Sequence, residues 1–200
     1  MKVSKAQAAQ NRQDILEAAA RLYREHGLDG IGVADVTRDA GLTHGGLYRH
    51  FDSKDALVRE ACARAFDWSI APLDGQPDGQ ASSLAARVQA YLSPQHRDSP
   101  GNGCPAAALA VDVARAGGDL SEVFAQGVER NITRFARVIG ALGDDQMPDA
   151  ALRAQAMAML SSMVGALVLA RATAAARPAL SDEILQTVLA HLTARETQGG

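Results

Sequence analysis

The sequence predicts an all-helical protein, and three observations carry that expectation. Hydrophobic residues make up 47% of the 200-residue chain while aromatics are only 4%, with alanine, the best helix former, abundant. β-branched residues rarely alternate with polar ones, so the two-residue period of a strand is missing. Apolar residues instead recur every three or four positions through most of the chain. The expected layout is an amino-terminal head of three helices, residues 1–52, a connecting helix, 53–70, and a helical body, 71–197, about nine helices in all.

From Gln10 to His26, the residues Ile15, Leu16, Ala19, Leu22 and Tyr23 fall on one face of a first helix, and Gly27 is its left-handed stop. A short second helix covers 33–41, with Val33, Val36 and Ala40 on one face and Gly41 at its end. Thr43 offers a side-chain oxygen as cap for a third helix running to about Phe51. The spacing of the two short helices is that of a helix-turn-helix. Ser53 caps a fourth helix over KDALVREACARAFDWSI, with Asp55 in its first turn.

The stretch APLDGQPDGQASS, 71–83, is rich in Pro, Gly and Asp and reads as a loop. Helix resumes over 83–93, breaks at HRDSPGNGCP, and returns over 105–115. Beyond Gly117 and Gly118, the residues Val128, Ile132, Phe135, Ile139 and Leu142 define a long amphipathic helix. DDQMPD ends it. Residues 150–176 form a helix apolar on most of its circumference, and Ser181 is expected to cap a last one striped by Leu180, Ile184, Leu185, Val188, Leu189 and Leu192.

Charge narrows the function. A net charge of -3 argues against a general polyanion-coating protein. The distribution is less even: residues 1–65 hold ten Lys plus Arg against nine Asp plus Glu, and the other 135 hold ten against fourteen. Lys2, Lys5 and Arg12 precede the first carboxylate and read as a basic arm. Two cysteines, Cys62 and Cys104, cannot form a disulfide framework, and nothing in their spacing suggests zinc. No apolar leader is visible in MKVSKAQAAQNRQDI. The apolar stretch between Arg153 and Arg171 is interrupted by Gln155, Ser161 and Ser162, so a buried helix is expected there and no membrane partner; the expected location is cytoplasmic. No catalytic constellation, metal site or cofactor motif can be assembled, so the chain is not expected to be an enzyme. Asp144 and Asp145 read as a solvated turn.

The segment GLTHGGLYRHF, 41–51, carries the chemistry. Gly45 and Gly46 side by side in one helical turn cost roughly 2 kcal/mol against alanine. Close approach of backbone to DNA would offset that cost, because the second helix of a helix-turn-helix enters the major groove by its first residues. Leu47 and Phe51 are the apolar pair that pins the segment to the head. Tyr48, His50 and Lys54 suit phosphate oxygens, while His44 and Arg49 have the reach for base edges or flanking phosphates.

Residues 12–58 resemble the DNA-binding head of the TetR family of transcriptional repressors. The resemblance rests on Ile15-Leu16-Glu17-Ala18-Ala19, on His26-Gly27, on Ala40-Gly41-Leu42-Thr43 and on the run Leu47-Tyr48-Arg49-His50-Phe51-Asp52-Ser53-Lys54-Asp55-Ala56-Leu57. It implies phosphate contacts for Tyr48, His50 and Lys54 and a recognition face at Thr43, His44, Gly45, Gly46 and Arg49. The chain departs from the family at Gly32, where a capping threonine is usual, at Thr37, where alanine is usual, and at Ala34, which offers little to a base.

The resemblance also implies a homodimer on a palindromic double-stranded DNA operator, released by a small-molecule effector. Its last two helices would form a dimeric four-helix bundle, and the small residues Ser161, Ser162, Gly165 and Ala166 permit such close approach. Phe66, Trp68, Tyr91, Phe124, Asn131 and Phe135 lie on helices that enclose an effector pocket in this family, although residues of this kind at helical spacing are more often simply core. Cys104, after Gly101-Asn102-Gly103 and before Pro105, is placed at a helix start, where the dipole favours thiolate. It resembles the sensing cysteine of some TetR-like regulators of electrophile defence, against the plainer reading of a buried small hydrophobe. The competing class is a small-molecule binding protein of the same fold that does not read DNA.

Overall fold

The structure is a computed structural model that describes residues 4–42, 44–70, 83–143 and 145–194, with the backbone alone for 44, 45 and 68–70. Among them all regular structure is helical: α1 (Lys5–His26), α2 (Val33–Asp39), a 3-10 helix (His44–Arg49), α3 (Lys54–Ile70), α4 (Leu84–Tyr91), α5 (Pro94–Asp98), a 3-10 turn (Pro100–Asn102), α6 (Pro105–Ala116), α7 (Gly118–Ile139), α8 (Ala150–Ala174) and α9 (Pro178–Ala194). The helices form two compact units, each built from separated stretches of chain. One takes residues 1–68 and 100–127, the other 69–99 and 128–200.

In the first unit α1 starts earlier than its apolar periodicity indicated. Ser4 Oγ accepts the Gln7 N–H at 3.1 Å, and the following Ala and Gln residues propagate the helix. The expected basic arm is therefore corrected: Lys5 and Arg12 lie on a helix, and Lys2 is outside the described residues. At the other end Gly27 adopts φ 78°, and its N–H bonds the Tyr23 carbonyl at 2.9 Å. α1 buries Ile15, Leu16, Ala19, Leu22 and Tyr23, and the core of this unit continues through Val36, Leu47, Phe51, Leu57 and Phe66.

The 96–105 break resolves into structure. Ser93 Oγ accepts the His96 N–H at 3.2 Å, and Pro94, preset for a first helical position, starts α5. The Pro100–Asn102 turn packs on α1 in the first unit. There Arg24, 3% exposed, donates through Nε to the Gly101 carbonyl at 2.8 Å, and its Nη1 reaches the Ala65 carbonyl at 3.5 Å. Burial lowers the Arg24 pKa to about 10, still leaving it charged at neutral pH. Asp112 of α6 accepts the Leu28 N–H at 3.0 Å, tying the end of α1 to α6.

In the second unit α8 packs along α9, and both close on α4, α5 and the later turns of α7 around Val88, Leu92, Phe135, Met159, Met163, Leu185 and Leu192. Asp149 caps α8 by accepting the Leu152 N–H at 2.8 Å. Ser181 does not cap α9. Pro178 starts that helix, and Ser181, fully buried in its first turn, donates to the Ala170 carbonyl at 2.8 Å. Ala150–Ala174 is long and apolar enough to cross a membrane by length and composition alone. In this fold its Ala156, Met159, Met163 and Leu167 line the core of the unit.

Tyr23 supplies a stability test. Its ring is 1% exposed and its hydroxyl has no hydrogen-bond partner among the described residues. Tyr23→Phe should therefore stabilise the protein, by about 1 kcal/mol in urea unfolding at pH 7, because it deletes an unsatisfied polar group and keeps the ring. Burial also pushes the Tyr23 pKa from 10.0 up to about 12. The folded pKa lies above the unfolded one, so the stability that the neutral phenol holds is complete below pH 10 and drains away as pH rises toward 12. The phenylalanine variant should lose less stability over that interval, and an equal alkaline loss would remove Tyr23 as its source.

Candidate nucleic-acid interface

The Gly-rich segment is a 3-10 helix over His44–Arg49, where the sequence led us to expect an α-helix to Phe51. Two adjacent glycines weaken α-helical propensity, and the six-residue run takes the tighter winding used in short pieces. It closes with the His50 N–H on the Leu47 carbonyl at 2.8 Å and the Phe51 N–H on the same oxygen at 3.0 Å. Thr43 lies outside the described residues, as does the side chain of His44.

The apolar anchors are where their spacing puts them, with Leu47 at 0% and Phe51 at 3% exposure. Between them Tyr48 is 56% exposed. Arg49 is exposed, and His50 and Lys54 are half-buried. A buried–exposed–exposed sequence on a short helix fixes the backbone from one side and presents Tyr48 and Arg49 on the other. Arg12 is committed to the scaffold: its guanidinium lies 4.7 Å from the centroid of the Phe51 ring and pairs with Glu60 at 2.5 Å. Ser53 caps α3 through the Ala56 N–H at 3.0 Å, which sets Lys54 in the first turn of that helix.

α2, which packs on the 3-10 helix, replaces the missing capping side chain at Gly32 by a reach from within. Asp35 Oδ2 accepts the Gly32 N–H at 3.1 Å, and its other oxygen pairs with Arg38 at 2.5 Å. The Gly32 N–H first and Arg38 second hold the Asp35 carboxyl below its ordinary pKa. Thr37, in an alanine position, is 1% exposed and loses no hydrogen bond by it, since its hydroxyl donates to the Val33 and Ala34 carbonyls at 3.0 and 3.1 Å. Sequence reasoning passed over Asp35 and Arg38. The signal was present: an acidic residue three positions after a helix start is half of a capping box.

The residues expected around an effector divide between the two units. In the first, Phe66 is fully buried and meets Phe124 edge-on, centroids 5.2 Å apart. Gly127 permits the approach of α7 there, since a Cβ would stand 2.3 Å from the Phe66 ring. Cys104 is the N-cap residue of α6 and is buried, 8% exposed. Burial pushes the other thiol, Cys62, up to about 11. In the second unit Tyr91 stands edge-on to His96 at 4.6 Å, and Phe135 is core. Asn131 is 9% exposed, with a side-chain oxygen that has no hydrogen-bond partner among the described residues. The side chain of Trp68 is outside the described residues. A cavity of about 160 Å³ in the second unit is lined by Leu84, Gln155, Met159, Ser162, His191 and neighbours, and by none of these candidates.

Comparison with known proteins locates the match in the head. The family model described as bacterial regulatory proteins, tetR family, matches residues 15–61. The HTH-type transcriptional repressor KstR2 of Mycobacterium tuberculosis is 36% identical over 78 residues, 39% of this chain and 39% of that protein. The HTH-type transcriptional repressor AcnR of Corynebacterium diphtheriae is 38% identical over 66 residues, 31% of this chain and 35% of that protein. The chain thus spans well under half the length of these curated relatives. Solved structures extend the likeness in fold. A TetR transcriptional regulator from Chloroflexus aurantiacus has a TM-score of 0.74 at 21% identity, covering 96% of this chain and 97% of its own. Reduced E. coli NemR has a TM-score of 0.70 at 20% identity, covering 90% and 94%.

Proposed function

We propose that this chain, whose residues 15–61 belong to the tetR family of bacterial regulatory proteins, is a cytoplasmic repressor that binds a palindromic operator as a homodimer and leaves it when a small molecule binds the body. The observation that carries the reading is the exposure of Tyr48 and Arg49 on a segment held from behind by Leu47 and Phe51. A phenol and a guanidinium presented this way suit phosphate oxygens and base edges, and glycines beside them admit the backbone close to the duplex. Retardation of DNA from upstream of its own coding region tests it. Binding should weaken steeply with salt. A protein that binds small molecules but retards no such fragment at any salt concentration belongs to the competing class.

One head covers half a site, so the reading needs two copies. Opposite its buried side, α8 turns Met157, Ser161 and Val168 outward, and a Cβ at Gly165 would meet nothing within 4 Å. Met157 and Val168 are each 39% exposed and Leu169 is 57% exposed. Such a face, apolar and free of bulk, suits a second α8.

Asn131 offers a buried oxygen to a hydrogen-bond donor, which favours an effector that carries one. Cys104 at the α6 N-cap is the candidate for electrophile sensing. If it is the sensor, N-ethylmaleimide releases the wild-type protein from its operator and leaves Cys104→Ser bound; release of both alike would end that role for Cys104.

A further inference from the structure

Within the first unit Arg12 of α1 spends its charge on two neighbours. Its guanidinium lies 4.7 Å from the centroid of the Phe51 ring, inside the range of a cation–π contact, and its Nη2 donates to Glu60 Oε2 of α3 at 2.5 Å. Arg12 and Glu60 are 48 positions apart in the chain, and Phe51 lies between them just after the 3-10 helix. The Arg12 and Glu60 side chains are 42% and 41% exposed, whereas Phe51 is 3% exposed, so water reaches the pair but not the ring. The Phe51 N–H also bonds the Leu47 carbonyl at 3.0 Å, which ties the ring's backbone to the last turn of the 3-10 helix.

We propose that Arg12 is a positioning residue for the operator surface: held by Glu60, it fixes Phe51 and through it the attitude of Tyr48 and Arg49, without itself touching phosphate. The proposal rests on the operator-binding reading above. A 3-10 helix with two adjacent glycines has little stiffness of its own, so its exposed side chains point where its buried anchors hold them. Leu47, at 0% exposure, is the anchor within the helix, and Phe51 is the anchor beyond its end. Apolar packing alone is non-directional. A planar guanidinium over the ring, itself fixed by a carboxylate, adds the direction that packing lacks. The charges agree with this role. Glu60 neutralises Arg12, so the pair has no net attraction for a phosphate, whereas a cation that serves phosphate gains nothing from a carboxylate at 2.5 Å.

A double-mutant cycle on the full-length protein tests it, read by hydrogen exchange at the His50 and Phe51 amides and by operator retardation. Arg12→Ala and Glu60→Ala should each speed exchange at those two amides by about fivefold or more, and the double variant no more than either alone, while α6 amides change by less than about twofold. Each single variant should weaken the operator complex about tenfold, again with no further loss in the double variant. The slope of log affinity against log salt should stay that of the wild type, because no phosphate contact is lost. Arg12→Lys, which keeps the charge but not the planar group, should restore little of either readout. An arginine that reaches phosphate directly gives the opposite pattern: Glu60→Ala tightens binding, Arg12→Lys retains it, and Arg12→Ala lowers the salt slope. Any of these overturns the proposal, as does unchanged exchange at His50 and Phe51. The control is Arg64→Ala, which breaks the 3.2 Å pair of Arg64 with Glu17 between the same two helices; a response equal to that of Arg12→Ala also overturns it. If the wild type retards no operator, the reading above fails, and the exchange cycle alone decides whether Arg12 and Glu60 hold Phe51.

Discussion

Tyr48→Ala together with Lys54→Ala should abolish retardation of the operator while circular dichroism and sedimentation remain those of the wild type. The expected size follows from counting contacts. A hydrogen bond to a charged phosphate is worth about 1.5 kcal/mol or more, and two residues on each of two heads make four, so the loss is about 6 kcal/mol or some four orders of magnitude. The fold is spared because Tyr48 is 56% exposed and Lys54 half-buried, with the anchoring left to Leu47 and Phe51. The salt slope should also flatten on any residual binding, since fewer phosphates are neutralised. A double variant that still retards the operator at wild-type concentrations would show that the 44–54 segment does not make the phosphate contacts.

On the proposed reading, Met157→Glu together with Val168→Glu should convert the protein to a monomer at micromolar concentration and take operator binding with it. Eleven residues apart, the two positions lie about 20° from each other around α8, so both carboxylates enter the same face. An unpaired charge forced into an interface costs about 4 kcal/mol, enough to weaken self-association by about a thousandfold. Because both side chains are 39% exposed in the single chain, the isolated subunit loses little. Analytical ultracentrifugation separates the outcomes: a variant that stays dimeric places the self-association surface away from the outward face of α8. A variant that becomes monomeric yet binds the operator undiminished breaks the link between pairing of subunits and pairing of heads.

Much of this was legible in the sequence, and what was not has local causes. Apolar periodicity located the long helices because burial decides it, and Gly27, Ser53 and Gly41 marked ends because each does a stereochemical job there: Gly27 and Gly41 adopt φ 78° and 69°, and Ser53 caps. Boundaries set by polar residues were harder. Lys5 to Gln10 carry no apolar face, so their place in α1 depends on Ser4 and on propensity alone. Ser181 resembles a cap by type, but Pro178 had already started α9 and the hydroxyl was drawn inward to Ala170 and Arg97. Pro94–Asp98 looked like a break because proline and serine are usual in loops, and here they start a helix.

The candidate site followed the same division. Leu47, Phe51, Tyr48 and Arg49 could be sorted by a short-range alternation of apolar and polar residues. Arg12 could not: its charge suggested DNA, and only the fold brings Glu60 and Phe51 to it. Arg24 was the harder case, since a buried cation near the end of α1 has no explanation until the Gly101 carbonyl, 77 residues away, is in place.

That separation bears on how the molecule is made. A ribosome delivers residues 1–68 before 100–127, yet these stretches belong to one compact unit, so the amino-terminal third must wait, with Arg24 and its surroundings incompletely covered, until α6 has emerged. Once about 127 residues are out, that core can close while α8 and α9 are still untranslated. Synthesis order thus lets each nascent polypeptide close its amino-terminal unit before the helices α8 and α9 exist.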